Sequence, residues 1–176
     1  MKIIFLDIDG VLNYYGSKIF DTHCVDNLRH IIKETNAKIV LISTWKVCLN
    51  KKVFDEASDK EKEELLKLKY SLDTTFTNEL EIIDITEDYF ENKEKQRSIC
   101  ISLEDIEKDT EHSDWRSIEI KNWLEGKQIE AFVIIDDFNC KYDEYFPNKW
   151  VKTSFYEKGL SRELADKAVS ILMEVH

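Results

Sequence analysis

Two aspartates, Asp7 and Asp9, end the first apolar run of the chain, and Gly10 follows them directly. Two carboxylates held about 4 Å apart repel each other by roughly 4 kcal/mol at an effective dielectric constant of about 20. A divalent cation would convert this repulsion into binding, so the spacing suggests a metal site. The same residues also fit a calcium-like turn or an acidic loop, and the pattern alone leaves that alternative open.

Two later apolar runs also end in polar side chains. Asp136 and Asp137 follow residues 131–135, and Ser43 follows residues 38–42. A hydroxyl at the end of a strand often caps the next helix, but beside a pair of carboxylates it could instead donate a hydrogen bond to a bound phosphoryl oxygen. Side chains suited to metal and phosphate chemistry therefore stand at the ends of three apolar runs.

The apolar runs predict buried strands, because a strand covered on both faces carries apolar residues without alternation. In the run 2–8, the strand period would place Asp7 and Asp9 on one side, and Gly10 allows a sharp turn. Further strands are predicted at 38–42, 80–85, 131–135 and 150–155. Helices are predicted at 22–34, within the charged stretch 50–70, at 115–125 and at 161–174.

The alternation of strands and helices predicts an α/β fold with a Rossmann-like, doubly wound parallel sheet. Ligands bind outside the carboxyl ends of the strands in such sheets. Asp7, Asp9, Ser43 and the pair 136–137 all fall at those ends, which argues against a mere acidic loop. Residues 87–112 are long for a plain connection, and we expect a small cap or lid insert there.

Composition limits the class of protein. A length of 176 residues favours a single domain over residues 1–176, and no apolar run approaches the ~18 residues of a membrane span. The four cysteines form no CxxC pair, which favours free thiols in a cytoplasmic protein over a disulfide scaffold. The net charge of −11 argues against non-specific nucleic-acid binding, although not against a phosphate substrate held through a metal.

Four motifs, in this order along the chain, resemble those of the haloacid dehalogenase (HAD) superfamily. They are LDIDGVLN at 6–13, LISTWK at 41–46, a basic residue that opens a helix, and VIIDD at 133–137. The helix RSIEIKNWL and the triplet Lys158-Gly159-Leu160 are more similar to the small HAD phosphatase-like domain found in RNA-repair proteins. The sequence departs from the pattern at Arg116, which stands where the third motif would have a lysine.

This resemblance implies a Mg²⁺-dependent phosphatase that hydrolyses a phosphate monoester through an aspartyl-phosphate intermediate. Asp7 would be the nucleophile, and Asp9 would be the general acid and base. The Mg²⁺ ligands would be the Asp7 carboxylate, the main-chain carbonyl of Asp9, and Asp136 or Asp137, with Asp136 preferred because it comes first off the strand. Ser43 and one basic side chain would hold the transferring phosphoryl group.

Two basic residues of the helix 115–125 compete for that contact. Arg116 and Lys121 are five residues and about 140° apart, so both cannot face the site. Arg116 lies within about 35° of the centre of the apolar face and in the first turn, whereas Lys121 lies more than about 100° from it. Arg116 is therefore the stronger candidate for catalysis and Lys121 the second; alternatively, Arg116 merely pairs with Glu119 or Glu111 on the surface.

The substrate is less constrained by the sequence. Thr44 and Lys46, next to Ser43, are further candidate contacts, and Lys46 belongs with Lys51 and Lys52 to the one basic cluster near the predicted mouth. The resemblance suggests a polynucleotide phosphate end, whereas the acidic composition favours a small phosphorylated metabolite, a nucleotide, or a strand end with few backbone contacts.

Two other functions stay open. A phosphotransferase or phosphomutase of the same fold would return the phosphoryl group to an acceptor other than water. A non-catalytic phosphate-binding module, such as a receiver domain, is the third possibility. Receivers normally carry the phosphoacceptor aspartate on the third strand, however, whereas the acidic pairs here end the first and fourth. A degenerate domain would typically lack Asp9, which is present.

Overall fold

Five strands form one sheet in the computed structural model, which describes residues 1–77, 80–86 and 114–174. Their order across the sheet is β3-β2-β1-β4-β5, and each neighbouring pair is parallel. The strands are β1 (Lys2–Leu6), β2 (Lys38–Leu41), β3 (Ile82–Ile85), β4 (Ala131–Asp136) and β5 (Trp150–Lys152). The predicted α/β, Rossmann-like architecture is thereby confirmed, while the predicted insert at 87–112 lies outside the described residues.

Helices cover both faces of this sheet. They are α1 (Thr22–Thr35), a 3₁₀ helix (Thr44–Leu49), α2 (Lys51–Glu56), α3 (Asp59–Thr75), α4 (Trp115–Leu124), α5 (Tyr142–Tyr145) and α6 (Arg162–Met173). Side-chain caps define two of their starts: Asp21 accepts hydrogen bonds from the backbone at the beginning of α1, and the Ser161 hydroxyl accepts one from Leu164 in α6. None of these helices is long and apolar enough to cross a membrane.

Alternation along the strands separates two apolar cores. Ile4 and Leu6 of β1 pack on the side covered by α1 and α6, whereas Ile3 and Phe5 pack on the side covered by α4 and α5. Continuing this alternation by two residues past Phe5 brings Asp7 out on the α4 side, beyond the end of the strand. The core that buries β1 therefore also fixes the direction of its first carboxylate.

β1 occupies the centre of the sheet, where the strand order reverses. The chain runs from β1 outwards to β2 and β3, and later continues on the other side of β1 with β4 and β5. Leu6 pairs with Ile135, and the Asp7 backbone N–H donates to the Ile135 carbonyl at 3.0 Å. Asp7 and Asp136 consequently lie side by side at the reversal point, where open α/β sheets bind ligands.

The turn after β1 begins earlier than predicted. β1 ends at Leu6 rather than Ile8, because the backbone N–H groups of Val11 and Leu12 both donate to the Ile8 carbonyl, at 3.1 and 2.8 Å, and close a helical turn. Gly10 has a positive φ of 73° within it. Asp9 thus leaves the strand and belongs to a loop above the sheet, a shift that strand periodicity could not predict.

Candidate active site

Asp7 is almost completely buried at the end of β1, 3.4 Å from the Arg116 Nη1 atom. Burial raises the pKa of Asp7 to about 7; the Arg116 charge and the Ser43 hydroxyl oppose this shift, whereas Asp136 and Asp9 add to it. The Oδ1 atom has no hydrogen-bond partner among the described residues. A buried carboxylate oxygen without a donor is costly, so this atom is poised to meet a cation or an electrophile.

Asp136, at the end of β4, is fully buried and surrounded by donors. Its Oδ2 atom accepts from Arg116 Nη1 and from the Tyr142 hydroxyl, both at 2.7 Å. Its Oδ1 atom accepts from the Phe138 backbone N–H at 2.8 Å. A carboxylate offers about four acceptor positions, so these bonds occupy most of those available on Asp136.

Asp137 lies half-buried beside the turn after β1. Its carboxylate packs directly over Gly10, where any side chain would clash with it and where the positive φ also favours glycine. Burial, reinforced by the neighbouring Asp136 charge, raises the pKa of Asp137 to about 6. The glycine of the first motif therefore has a packing function, since it admits the fourth-motif carboxylate to the site.

Asp7, Asp136 and Asp137 each offer a carboxylate oxygen, and these oxygens lie within 4.8 Å of one another. Hard oxygen ligands of this kind suit Mg²⁺ or Ca²⁺. The Asp7 Oδ1 atom, which no donor in residues 1–77, 80–86 and 114–174 reaches, and the raised pKa values of Asp7 and Asp137 both indicate that a positive charge would stabilise the cluster. The residues present therefore fit a divalent cation.

The Asp9 carboxylate is exposed and is held by two donors from outside this cluster. Trp45 Nε1 donates to Oδ2 at 2.9 Å, and Asn13 Nδ2 donates to Oδ1 at 2.9 Å. The Gly10 backbone N–H donates to the other end of the Asn13 amide at 3.1 Å, which fixes its orientation. Asp9 is thus set beside Asp7 by side chains that approach from the β1 loop and the 3₁₀ helix.

Arg116, in the first turn of α4, faces the cluster, whereas Lys121 is exposed on the same helix. The Arg116 guanidinium carbon lies 4.8 Å from the centre of the Trp115 ring, and Nε has no acceptor among the described residues. Burial opposes its charge, but Asp136 and Asp7 outweigh burial and hold the pKa of Arg116 well above its usual value. Arg116 therefore offers a permanent positive charge and a vacant N–H donor beside Asp7.

Three predicted substrate contacts follow the end of β2, and they differ in burial and in hydrogen bonding. Ser43 is fully buried and its hydroxyl accepts a hydrogen bond from the Trp45 backbone at 3.4 Å, while Thr44 is exposed. Lys46 is buried in an ion pair of 2.6 Å with Glu119 and donates to the Thr86 hydroxyl at 3.2 Å. This pair engages the Lys46 ammonium group and ties the 3₁₀ helix to α4, while the substrate contact of Lys46 stays a prediction.

Several residues of the site were assigned no role there from the sequence. Each of them forms a hydrogen bond with a side chain that the sequence did single out; they are Asn13, Glu119, Thr86 and Tyr142. Only the position of Asn13, four residues after Asp9 in the first motif, offered a signal. Arg116 pairs with Asp136 and Asp7 rather than with Glu119. The other alternative, a pair with Glu111, lies outside the described residues.

A family model described as the HAD domain in Swiss Army Knife RNA repair proteins matches residues 3–165 of the chain. The match includes all five strands, except Lys2 at the start of β1, and every residue of the cluster described above. No curated protein and no solved structure matches the chain. The match confirms the resemblance inferred from the four motifs.

Proposed function

The chain belongs to the family of HAD domains in Swiss Army Knife RNA repair proteins, and we propose that it is a Mg²⁺-dependent phosphatase acting on a phosphate monoester. Family membership supports a hydrolase of the HAD type. The observation that carries the proposal is the Asp7 Oδ1 atom, which is buried and has no hydrogen-bond partner among the described residues, on a carboxylate whose Oδ2 atom lies 3.4 Å from Arg116 Nη1. A nucleophile requires a free oxygen of this kind.

In the proposed reaction an Asp7 oxygen attacks phosphorus and the ester P–O bond breaks, which forms an aspartyl-phosphate. Asp9 gives its proton to the departing alkoxide. Asp9 then takes a proton from a water molecule, whose oxygen attacks the same phosphorus, so that phosphate leaves and the Asp7 carboxylate is restored. Arg116 Nε and the Ser43 hydroxyl supply donors to the phosphoryl oxygens as negative charge develops on them.

We assign the metal ligands to Asp7, Asp137 and the main-chain carbonyl of Asp9. Bound there, Mg²⁺ would neutralise charge on the phosphoryl group. The sequence favoured Asp136 over Asp137 as the direct ligand, but Asp136 already accepts hydrogen bonds from Arg116, Tyr142 and the Phe138 backbone. Asp137 is less buried and accepts fewer hydrogen bonds, so it is the better candidate for a direct metal ligand. Asp136 is better suited to hold Arg116 in place.

Substituting the two aspartates one at a time should separate these assignments. Asp137→Asn should weaken Mg²⁺ binding by about tenfold or more while leaving the metal-free melting temperature unchanged or higher, because it relieves repulsion with Asp136. Asp136→Asn should lower the free energy of unfolding by on the order of 3 kcal/mol, since the buried Arg116 loses its closest partner. Titration calorimetry with Mg²⁺ and thermal melts of the metal-free proteins measure both effects.

The reverse effects of the two substitutions would contradict the assignment of Asp137 as the direct metal ligand. If Asp136→Asn melts like the parent and loses the metal, while Asp137→Asn binds Mg²⁺ normally, the direct ligand is Asp136 and the hydrogen bonds around it rearrange on binding.

For the substrate we propose a phosphorylated strand end or nucleotide. The family description points to RNA repair, whereas the net charge of −11 disfavours extended contacts with a polyanionic backbone. A panel of phosphate esters assayed with Mg²⁺ tests the function, and it should include 3′- and 5′-phosphorylated oligonucleotides, mononucleotides and sugar phosphates. Release of inorganic phosphate from at least one class is expected. Phosphoryl transfer to an added alcohol in place of water would instead assign a phosphotransferase.

A further inference from the structure

Both oxygens of the Asp9 carboxylate are engaged by side-chain N–H donors that have no role of their own in the proposed reaction. The indole N–H of Trp45 can only donate, so it cannot exchange a proton with Asp9. The Asn13 amide presents its N–H₂ group to Asp9, because its oxygen faces the Gly10 backbone N–H. A carboxylate held at both oxygens has a defined orientation although it is exposed.

Trp45 is itself held firmly in place. Its ring centre lies 5.4 Å from that of Phe20, which in turn lies 6.0 Å from that of Phe76 at the end of α3. Its backbone N–H donates to the Ser43 hydroxyl at the start of the 3₁₀ helix. Ser43, which follows β2, and Trp45, which reaches Asp9, are thus two positions apart on the same turn.

We propose that Trp45 is a positioning residue, whose indole N–H holds Asp9 in line with the leaving-group oxygen of the substrate. The inference rests on the proposed function, in which Asp9 carries the proton. Packing against Phe20 would require only an aromatic ring, but the ring nitrogen also points at Asp9 Oδ2 at hydrogen-bond distance. A misplacement of about 1 Å can cost about 100-fold in rate, so losing this bond should be measurable.

Leaving-group dependence distinguishes positioning from packing. The alkoxide of an alkyl phosphate needs a proton in order to leave, whereas the phenolate of an aryl phosphate with an acidic phenol leaves without one. Trp45→Phe should therefore reduce kcat on the alkyl phosphate by about tenfold or more, and reduce it clearly less on the aryl phosphate. Equal losses on the two substrates, or no loss on either, would overturn the proposal.

The chain offers a matched control in Trp123. Its indole Nε1 also donates to a carboxylate, Asp84 Oδ2 at 2.8 Å, but it lies in the core between α4 and the sheet. Trp123→Phe removes the same kind of bond and should change both substrates by the same factor. A selective loss on the alkyl phosphate in this control would overturn the proposal, because the selectivity would then reflect general destabilisation.

A double-mutant cycle with Asp9→Ala provides a second readout. If Trp45 acts only through Asp9, adding Trp45→Phe to Asp9→Ala should cost almost nothing further, whereas an independent structural role predicts additive losses.

Should Trp45→Phe fold poorly, 3-benzothienylalanine at position 45 keeps the shape of tryptophan but replaces the N–H by sulfur, and the same selective loss is expected. A parent protein inactive on both phosphates would refute the proposed function itself, so the two failures are distinguishable.

Discussion

Replacing Asp7 by asparagine or alanine should abolish phosphate release, with kcat reduced by about 10⁴-fold or more. Neither side chain can form the acyl-phosphate bond, and both lose the carboxylate, whose Oδ1 atom has no hydrogen-bond partner in the part of the chain that the structure describes. The parent enzyme should require Mg²⁺ for the same reaction. Initial rates on an aryl phosphate, measured with the metal and again after its removal by a chelator, test both statements.

The Asp7→Asn protein should nevertheless be folded. Burial raises the pKa of Asp7 to about 7, so the charged form is disfavoured in the metal-free protein and a neutral amide of the same shape is tolerated. Beryllofluoride, which mimics the phosphoryl group on an aspartate, should bind the parent with Mg²⁺ present and fail to bind Asp7→Asn. Full activity in Asp7→Ala would disprove the nucleophile assignment.

Arg116→Ala should lose about 100-fold to 1000-fold in kcat/KM, the usual cost of removing one donor to a developing negative charge. Arg116 is the basic side chain that contacts Asp7 and Asp136, and its Nε donor is vacant among the described residues. Part of the loss could reflect instability, because the alanine leaves a buried aspartate without its partner. The comparison with Arg116→Lys addresses this point.

Arg116→Lys keeps the positive charge but loses the Nε–H donor. It should therefore recover a useful part of the activity and most of the stability that Arg116→Ala loses. Lys121→Ala serves as the matched control from the same helix, and it should behave like the parent in rate and melting temperature because Lys121 is exposed. Kinetics on one substrate and thermal melts of the three variants suffice. A large loss in Lys121→Ala together with an active Arg116→Ala would transfer the phosphate contact to Lys121.

The charges of the site explain why these variants should differ so strongly. Asp7, Asp136 and Asp137 meet one buried guanidinium, so the metal-free cluster carries excess negative charge, and burial raises the pKa of Asp7 and of Asp137. A divalent cation would compensate that excess, whereas the loss of Arg116 would increase it. Activity and metal-free stability are therefore expected to respond in opposite directions to some substitutions, with Asp137→Asn as the clearest case.

Patterns in the amino-acid sequence were sufficient to predict the fold and the location of the cluster. Apolar runs with polar ends predict buried parallel strands, and parallel strands bring their carboxyl ends to one edge of the sheet. These patterns predict that Asp7, Ser43 and Asp136 lie close together, and helix periodicity predicts that Arg116 rather than Lys121 faces them. These conclusions hold because periodicity records which face of an element is buried.

The hydrogen-bond partners of the polar groups in that cluster could be identified from the three-dimensional arrangement alone. Trp45 reaches Asp9 across 36 positions of sequence, and Lys46 reaches Glu119 across 73. The donors around Asp136 arrive from α4, α5 and the loop after β4, and they are the reason for proposing Asp137 as the direct metal ligand. Periodicity carries no information about such pairings, because a hydrogen bond depends on distances of a few tenths of an ångström between groups that different elements deliver.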